Sequence, residues 1–295
     1  MNQEKKVIVT PIDFSEQSLI ALSQTYNLAR LTGSHIRLLH VIDQDFISHL
    51  TNSIFSKENY ADQIRNDIER RLDELATKVH KEEKVSTSTN IRTGKIYDEI
   101  VAEANDVNAS FIVMGTQGAS TMKKKFLGSN TSRVIKEALC PVITIKGHEH
   151  LKGCKDIALP LDLTKETREK VNYAIDMAKL FDAVVHIFSV LETNDEFLVN
   201  KLERQLQQVK QFITESGVEC QGELIPQSDS NVSLSIIEYA RMKKCDLIII
   251  MTQGETNIAD LFIGTAAQEV INNSEIPVLC IRPMVRKDTT QYVLS

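Results

Sequence analysis

The sequence predicts an α/β fold of two tandem copies, each a five-stranded, parallel, doubly wound sheet of the Rossmann-like type with strand order 3-2-1-4-5 and helices on both faces. Two observations predict this fold class. Short apolar runs alternate with helical segments along the chain, which favours a parallel sheet with right-handed crossovers. The same alternation then occurs a second time, which indicates an internal duplication.

The duplication is visible at both ends of each copy. "VIVTPIDFS" at 7–15 aligns with "DIALPLDLT" at 156–164, and the two segments share a Pro, an Asp and a hydroxyl residue. Residues 111–145 align without a gap with 247–281, and both segments contain Thr-Gln-Gly and a late Pro-Val. The first offset is 149 residues and the second is 136, so the second copy lacks 13 residues in between.

These alignments predict the domain organisation. We expect a first domain at 1–147, a second domain at 154–284 and a polar tail at 285–295, with the seam around 147–154. A chain of 295 residues is long enough for two domains of ordinary size, each with its own core.

The elements of the first copy follow from local patterns. The long helix is amphipathic, with apolar residues at spacings of three and four: Ile64, Ile68, Leu72, Leu75 and Val79. The run "SFIVM" at 110–114 is apolar on both faces, as expected of a central parallel strand covered by helices. In chain order, strands are predicted at 6–10, 35–42, 86–91, 110–114 and 141–145. Helices are predicted at 16–32, 56–82, 96–106 and 129–138.

Composition and charge exclude several classes of protein. Apolar residues make up 42% and charged residues 25% of the chain, as in globular proteins. The net charge of -6 argues against a general nucleic-acid or acidic-membrane binder. The sequence contains no run of about 18 apolar residues, so no transmembrane helix is expected. No secretory h-region follows the N-terminus, and the five cysteines include no Cys-x-x-Cys, so we expect reduced thiols, no zinc site and a cytoplasmic location.

A glycine-rich stretch, "GTQGASTMKKKFLGS" at 115–129, is the candidate ligand site. It is neither the Walker pattern nor the dinucleotide pattern. In the predicted strand order, Asp13 and Gly115 end neighbouring strands where the order reverses, which is where ligands bind in such sheets. Gly128 then opens the last helix, whose free N–H groups and positive dipole end suit a phosphate.

These residues resemble a known family. Gly115-x2-Gly118-x9-Gly128-Ser129 resembles the nucleotide-binding signature of the universal stress protein family, and "TPIDFS" resembles that family's first-strand end. The resemblance covers nearly all of both halves. It implies that Asp13 and Val41 hold an adenosine. It implies phosphate contacts by Gly115, Gln117, Gly118, Gly128, Ser129 and Asn130, and it adds Pro11, Met114 and Thr131 to the nucleotide-binding set.

The resemblance also implies a ligand and an assembly. The ligand is ATP, or ADP or AMP, with or without Mg²⁺. Family members form dimers through their last strands, so the two apolar last strands of this chain, "PVITI" and "PVLCI", are expected to pair as an internal pseudo-dimer. A further homodimer and an unidentified protein partner are also expected, and no nucleic-acid or membrane partner.

The second copy departs from the signature. Met251 replaces Gly115, and Ala266 and Ala267 replace Asn130 and Thr131. The loop also carries Glu255 and Asp260 and lacks the three consecutive lysines at 123–125. Because donors are lost and negative charge is gained, only the first copy is expected to bind nucleotide.

Three functions remain open at this point. No catalytic constellation is evident, which favours a regulatory nucleotide-binding protein over an enzyme. The first alternative is a weak ATPase or phosphotransferase that uses the same site, and the second is a nucleotide-free scaffold. A structural reading also stays open for two residues, since Asp13 could form an Asx turn with Ser15, and Ser15 could cap the first helix.

Overall fold

A computed structural model describes residues 6–45, 60–116, 127–147, 153–162, 167–192, 195–227, 231–252 and 263–283 of the chain. The elements of the first half are β1 (Val7–Pro11), α1 (Glu16–Thr32), β2 (His35–Asp43), α2 (Tyr60–Glu83), β3 (Thr87–Gly94), α3 (Ile96–Asp106), β4 (Phe111–Gly115), α4 (Ser129–Glu137) and β5 (Val142–Ile145). Those of the second half are β6 (Asp156–Pro160), α5 (Thr167–Phe181), β7 (Val184–Leu191), α6 (Glu196–Glu215), β8 (Cys220–Pro226), α7 (Val232–Met242), β9 (Leu247–Met251), α8 (Thr265–Asn273) and β10 (Val278–Ile281).

All ten strands form one sheet in the order β3-β2-β1-β4-β5-β10-β9-β6-β7-β8. Neighbouring strands are parallel within each half, as in β1 with β2 and β6 with β7. Each half therefore has the order 3-2-1-4-5, and the predicted fold class is confirmed. The second half is 13 residues shorter between its second strand and its third helix, and in this stretch the 20-residue α6 takes the place of the 24-residue α2.

The two halves join through their last strands. β5 and β10 pair in antiparallel orientation, with Ile143 opposite Leu279 and Val142 opposite Cys280. The predicted internal pseudo-dimer is therefore confirmed. This pairing removes two apolar edges that would otherwise be open to another chain.

Two positively charged side chains also connect the two halves at this junction. Lys146, just after β5, donates from its ammonium to the carbonyl of Asn272 at the end of α8. Arg282, just after β10, donates from its guanidinium to the carbonyl of Glu137 at the end of α4, 3.2 Å away. Each half thus places a positive charge at the negative end of the other half's last helix, a favourable arrangement.

The core has one cluster on each face of the sheet. One face packs α1, α2, α5 and α6 against residues such as Ile8, Leu38 and Ile249. The opposite face packs α3, α4, α7 and α8 against residues such as Val9 and Ile248. Successive residues of a strand thus alternate between two covered faces, which explains the continuous apolar runs in the sequence.

An ionic cluster holds the outer edge of the first half. Glu103 of α3 is 2% exposed. Its carboxylate accepts from Arg92 Nε at 2.6 Å and from Asn90 Nδ2 at 2.7 Å, and lies 3.3 Å from Arg37 Nε. Arg92 also reaches the exposed Asp106 at 2.5 Å. We call Glu103, Asn90, Arg92 and Arg37 the Glu103 cluster.

The second half has different polar side chains at the position that corresponds to the Glu103 cluster. Tyr239 aligns with Glu103 and donates to Glu223 Oε1 at 2.9 Å. Lys243 lies 2.7 Å from the same carboxylate. The two outer edges therefore have the same backbone but unrelated polar side chains.

The five cysteines all lie within the described residues and are free. Burial raises the pKa of the Cys140 and Cys220 thiols to about 11 and that of Cys245 to about 12. At neutral pH these thiols are protonated and therefore poor nucleophiles. They pack as small apolar side chains.

None of the helices in the described ranges is both long enough and apolar enough to cross a bilayer.

Candidate functional site

The candidate site lies where the strand order of the first half reverses. β1 sits between β2 and β4, with Val9 opposite both Arg37 and Ile112. The carboxyl ends of β1 and β4 are thus neighbours, so Asp13 and Gly115 follow adjacent strands as predicted. Such a reversal is the usual ligand position in doubly wound sheets.

The turn after β1 is held from both sides. The Ile12 N–H donates to the Leu39 carbonyl at 2.8 Å, and His40 donates from Nδ1 to the Ile12 carbonyl at 2.6 Å. Asp13 Oδ1 accepts from the Ser15 N–H at 3.0 Å and from its hydroxyl at 2.5 Å. This is the Asx turn that the sequence left open, and it leaves Asp13 exposed and fixed in position.

Ser15 also begins α1. Its side chain accepts from the Ser18 N–H at 3.2 Å, which makes it the N-cap of the helix. The capping role predicted for Ser15 is confirmed, and one residue serves both the turn and the helix.

The same turn contains a strained residue. Phe14 has φ of 60°, in the left-handed region that a bulky side chain rarely adopts. Its ring lies 3.9 Å from the Arg71 guanidinium carbon and 5.4 Å from the His40 ring. Burial lowers the pKa of His40, so at neutral pH this ring is uncharged. These contacts offset the strain and hold the turn in one conformation.

Gly115, at the end of β4, has a second reason to be glycine. A Cβ built there would lie 3.2 Å from both the Cβ and the carbonyl oxygen of Gln17, in the first turn of α1. That distance is shorter than ordinary packing allows for a rigid backbone neighbour. The sequence assigned this glycine to the approach of a ligand, whereas the structure adds the close approach of α1.

The two ends of the signature loop lie next to each other and are joined by backbone hydrogen bonds. The Thr116 N–H donates to the Ile145 carbonyl at 2.9 Å, and the Gly128 N–H donates to the Thr116 carbonyl at 2.9 Å. The second half has the same frame, from Thr252 to Ile281 and from Gly264 to Thr252. Gln117, Gly118 and the lysines at 123–125 lie outside the described residues.

The N-terminus of α4 follows this frame. Gly128 occupies the N-cap position of this helix, but a glycine has no side chain that could accept from the first N–H groups. Ser129 is exposed and Asn130 half-buried, and they occupy the first two positions of the helix, where the backbone N–H groups have no intrahelical partner. Thr131 is buried and donates from its hydroxyl to the Gly115 carbonyl at 3.1 Å. Thr131 therefore ties the helix start to the end of β4.

A buried hydroxyl marks a difference between the halves. Thr116 is 3% exposed, and its Oγ1 has no hydrogen-bond partner within the part of the chain that the structure describes. Its counterpart Thr252 donates to the Ile281 carbonyl at 3.2 Å. A buried hydroxyl without a partner is costly, so the two halves differ at this position in how a buried polar group is satisfied.

The remaining candidates lie on the surrounding strands. Pro11 is the last residue of β1 and is half-buried. Val41 lies on β2 opposite Arg92 and packs against the core cluster that contains Met114. Met114 is 6% exposed. Both side chains are apolar and pack within the same core cluster.

One residue of the second half reaches the first-half loop. Asn272 of α8 accepts from the Leu127 N–H through its Oδ1 at 2.6 Å. Leu127 directly precedes the N-cap Gly128. The sequence did not single out Asn272, because an Asn near the end of a helix carries no signal for a contact between halves.

Removal of this side chain is expected to destabilise the chain. Asn272→Ala leaves the part-buried Leu127 N–H without its partner, which should lower the free energy of unfolding by about 1–3 kcal/mol. Urea denaturation measures the change. The exposed neighbour variant Asn273→Ala is the matched control, with an expected change within about 0.5 kcal/mol. Equal effects of the two substitutions would show that the contact contributes nothing.

The described residues contain no group of three or more His, Cys, Asp or Glu side chains that could hold a metal ion.

Comparisons with known proteins agree with the duplication. Residues 5–146 and 153–282 each match the model of the Universal stress protein family. Universal stress protein MJ0531 of Methanocaldococcus jannaschii is 30% identical over 142 residues, which is 43% of this chain and 82% of that protein. A universal stress protein structure from Archaeoglobus fulgidus DSM 4304 has a TM-score of 0.73 at 22% identity and covers 94% of this chain and 96% of that chain.

A structure of the universal stress protein from Archaeoglobus fulgidus in complex with dAMP covers 43% of this chain and 96% of that chain, at 21% identity and a TM-score of 0.36.

Proposed function

This chain belongs to the universal stress protein family, and from that membership we propose that its first half binds an adenine nucleotide: ATP, or ADP or AMP. The site is the sheet reversal that contains Asp13, Gly115 and the start of α4. The protein acts in the cytoplasm as a regulatory module of a stress response, in which a protein partner recognises the nucleotide-bound state.

The start of α4 carries this proposal. A helix whose N-cap is Gly128, with no side chain on its first N–H groups, leaves those donors for an anion. The side chains of Ser129 and Asn130 border the same donors. By contrast, α1 begins under the Ser15 side chain and α6 under Asp195, so their first turns are already occupied. α8 also begins at an uncapped glycine, Gly264, but has Ala266 and Ala267 in place of Asn130 and Thr131.

The residues around this helix fit a nucleotide. Asp13 is held by the turn after β1 with its carboxylate exposed, and it can accept hydrogen bonds from the adenosine. Val41 and Met114 supply apolar surface beneath the base. Gln117 and Gly118 are included among the proposed nucleotide-binding residues because they belong to the signature.

The chain's own residues bind and orient the ligand. The helix dipole and the free N–H groups favour phosphate at α4, and the strained Phe14 turn keeps Asp13 in a fixed geometry. The role proposed for these residues is binding of the nucleotide without turnover. Sustained phosphate release above that of a Gly118→Lys variant would support an ATPase instead.

Calorimetric titration of the intact chain with ATP tests the proposal. We expect one site per chain. Asp13→Ala removes the carboxylate that accepts a hydrogen bond from the adenosine. Loss of a hydrogen bond to a charged group costs about 1.5–3 kcal/mol, which is roughly ten- to hundredfold in affinity.

The matched control is Asp162→Ala, the equivalent change in the second half. Its expected effect on ATP affinity is less than about threefold, because residues far apart act independently. Two equal sites per chain would contradict binding by the first half alone. A loss of ATP binding in Asp162→Ala but not in Asp13→Ala would place the nucleotide in the second half instead.

A further inference from the structure

The second half has a cavity of about 520 Å³ at the carboxyl ends of its strands. It occupies the place that corresponds to the proposed nucleotide site, since its wall includes Asp162 and Val190, the counterparts of Asp13 and Val41. Its volume lies within the range of about 300–1,000 Å³ that is usual for small-molecule pockets. The second half therefore has room for a ligand, although its loop departs from the nucleotide signature.

The wall of this cavity is mostly apolar. Strands and helices on both faces of the sheet contribute to it, with the side chains of Leu161, Leu202, Val232, Ile236, Ile250 and Met251. Water gains little from contact with such a wall, so the burial of an apolar molecule there is favourable.

Three substitutions make this wall more apolar than the equivalent surface of the first half. Met251 stands where the first half has Gly115, and its unbranched thioether adapts to apolar ligands of varied shape. At the start of α8, Ala266 and Ala267 replace an asparagine and a threonine. Because these changes add apolar surface and remove hydrogen-bonding groups, they favour a ligand that needs few hydrogen bonds.

The charges of the wall do not favour an anion. An ion that leaves water for an apolar cavity needs a partner of opposite charge. Asp162 and Glu192 line the cavity as two exposed carboxylates. Lys170 is 4% exposed and donates to the Pro160 carbonyl at 2.7 Å, and it has a further interaction besides this one. Its ammonium is therefore engaged within the protein and is outnumbered by the carboxylates.

The same wall does not favour a cation. Asp162 and Glu192 are exposed, so water screens them and an ion pair with either would add little. The buried ammonium of Lys170 and the positive end of α8, which begins after Gly264, both oppose a positive charge inside the cavity. An uncharged molecule meets neither obstacle.

We propose that the second half binds an uncharged, predominantly apolar small molecule in this cavity. The chain would then have two different ligand sites at equivalent positions, one for a nucleotide and one for an apolar molecule.

Octanol is the probe for the intact chain, and octanoate and octylammonium are its charged counterparts of equal length. Calorimetry is expected to give one saturable octanol site per chain. Each charged counterpart should bind at least about tenfold more weakly, because its head group loses hydration without gaining a partner. Equal or tighter binding of either ion, or no saturable binding of octanol, would overturn the proposal.

A shorter alcohol tests whether apolar burial supplies the affinity. Hexanol has two CH₂ groups fewer than octanol, and each buried CH₂ strengthens binding, so hexanol should bind at least about fivefold more weakly. Equal affinities of the two alcohols would show that the chain of the ligand does not enter the cavity, which would contradict the proposal.

A pair of matched variants places the site in the second half. Ala266→Trp, at an exposed position in the cavity wall, should abolish octanol binding. Asn130→Trp, the equivalent change in the first half, should leave octanol affinity within about twofold, because distant sites act independently. Unfolding midpoints of both variants confirm that each is folded.

Two further outcomes would overturn the assignment: unchanged octanol binding in a folded Ala266→Trp variant, or displacement of octanol by ATP. Because octanol binding is measured without nucleotide, failure of the nucleotide proposal would leave this result unaffected.

Discussion

The double variant Asn130→Ala/Thr131→Ala is expected to bind ATP at least about tenfold more weakly than the unmodified chain. It gives the start of α4 the residues that α8 has at Ala266 and Ala267. Asn130 loses a side-chain donor at the free end of the helix. Thr131 loses the hydroxyl that ties this helix end to Gly115, so the N–H groups are less well positioned. Each hydrogen bond lost to a charged phosphate costs about 1.5–3 kcal/mol, and 1.4 kcal/mol is about tenfold in affinity.

A control at the other end of the same helix isolates this effect. Glu137→Gln removes a charge far from the phosphate donors while the Glu137 carbonyl still accepts from Arg282. Its ATP affinity, measured by the same titration, should stay within about threefold. Retention of tight ATP binding by the double variant would mean that the start of α4 does not hold the phosphates.

The second large effect concerns the Glu103 cluster. Glu103→Ala removes the carboxylate shared by Arg37, Arg92 and Asn90 at a site that is 2% exposed. Removal of one partner from a buried ion pair costs about 3–5 kcal/mol, and we expect a loss near the lower end, about 3 kcal/mol, because both arginines keep partial contact with water. Denaturant unfolding measures it.

Asp106→Asn is the matched control for this cluster. Asp106 contacts the same Arg92, but its side chain is 65% exposed, and exposed ion pairs contribute about 0–1 kcal/mol. A similar loss of stability in the two variants would show that burial of Glu103 has no special energetic role.

The sequence predicted the fold because its signals are local and repeated. The alternation of apolar strands and helices fixed the element order, and the two Pro-Val strands predicted the pairing of β5 with β10. Most boundaries agree to within a residue or two. The predicted start of the long helix at residue 56 lies outside the described residues. Among the other boundaries the largest difference is at β3, which continues to Gly94 because β2 pairs with it as far as Asp43. An edge strand with polar residues gives a weak periodic signal.

Several site features could not be predicted from the sequence. The contact of Gly115 with Gln17 and that of Leu127 with Asn272 depend on how helices pack against the sheet and against the other half. Lys170 lies in a segment where a lysine is normally a surface residue, and nothing in the periodicity indicated its burial. These contacts join residues that are distant along the chain, and such pairs leave no trace in a single sequence.

The central claim is that the first half holds an adenine nucleotide. The most direct test is to denature freshly purified protein and to measure the identity and amount of the nucleotide that is released. We predict about one adenine nucleotide per chain from the unmodified protein and from Asp162→Ala, and little or none from Asn130→Ala/Thr131→Ala. Absence of nucleotide from the unmodified protein, together with no heat signal on titration with ATP, ADP or AMP, would contradict the claim.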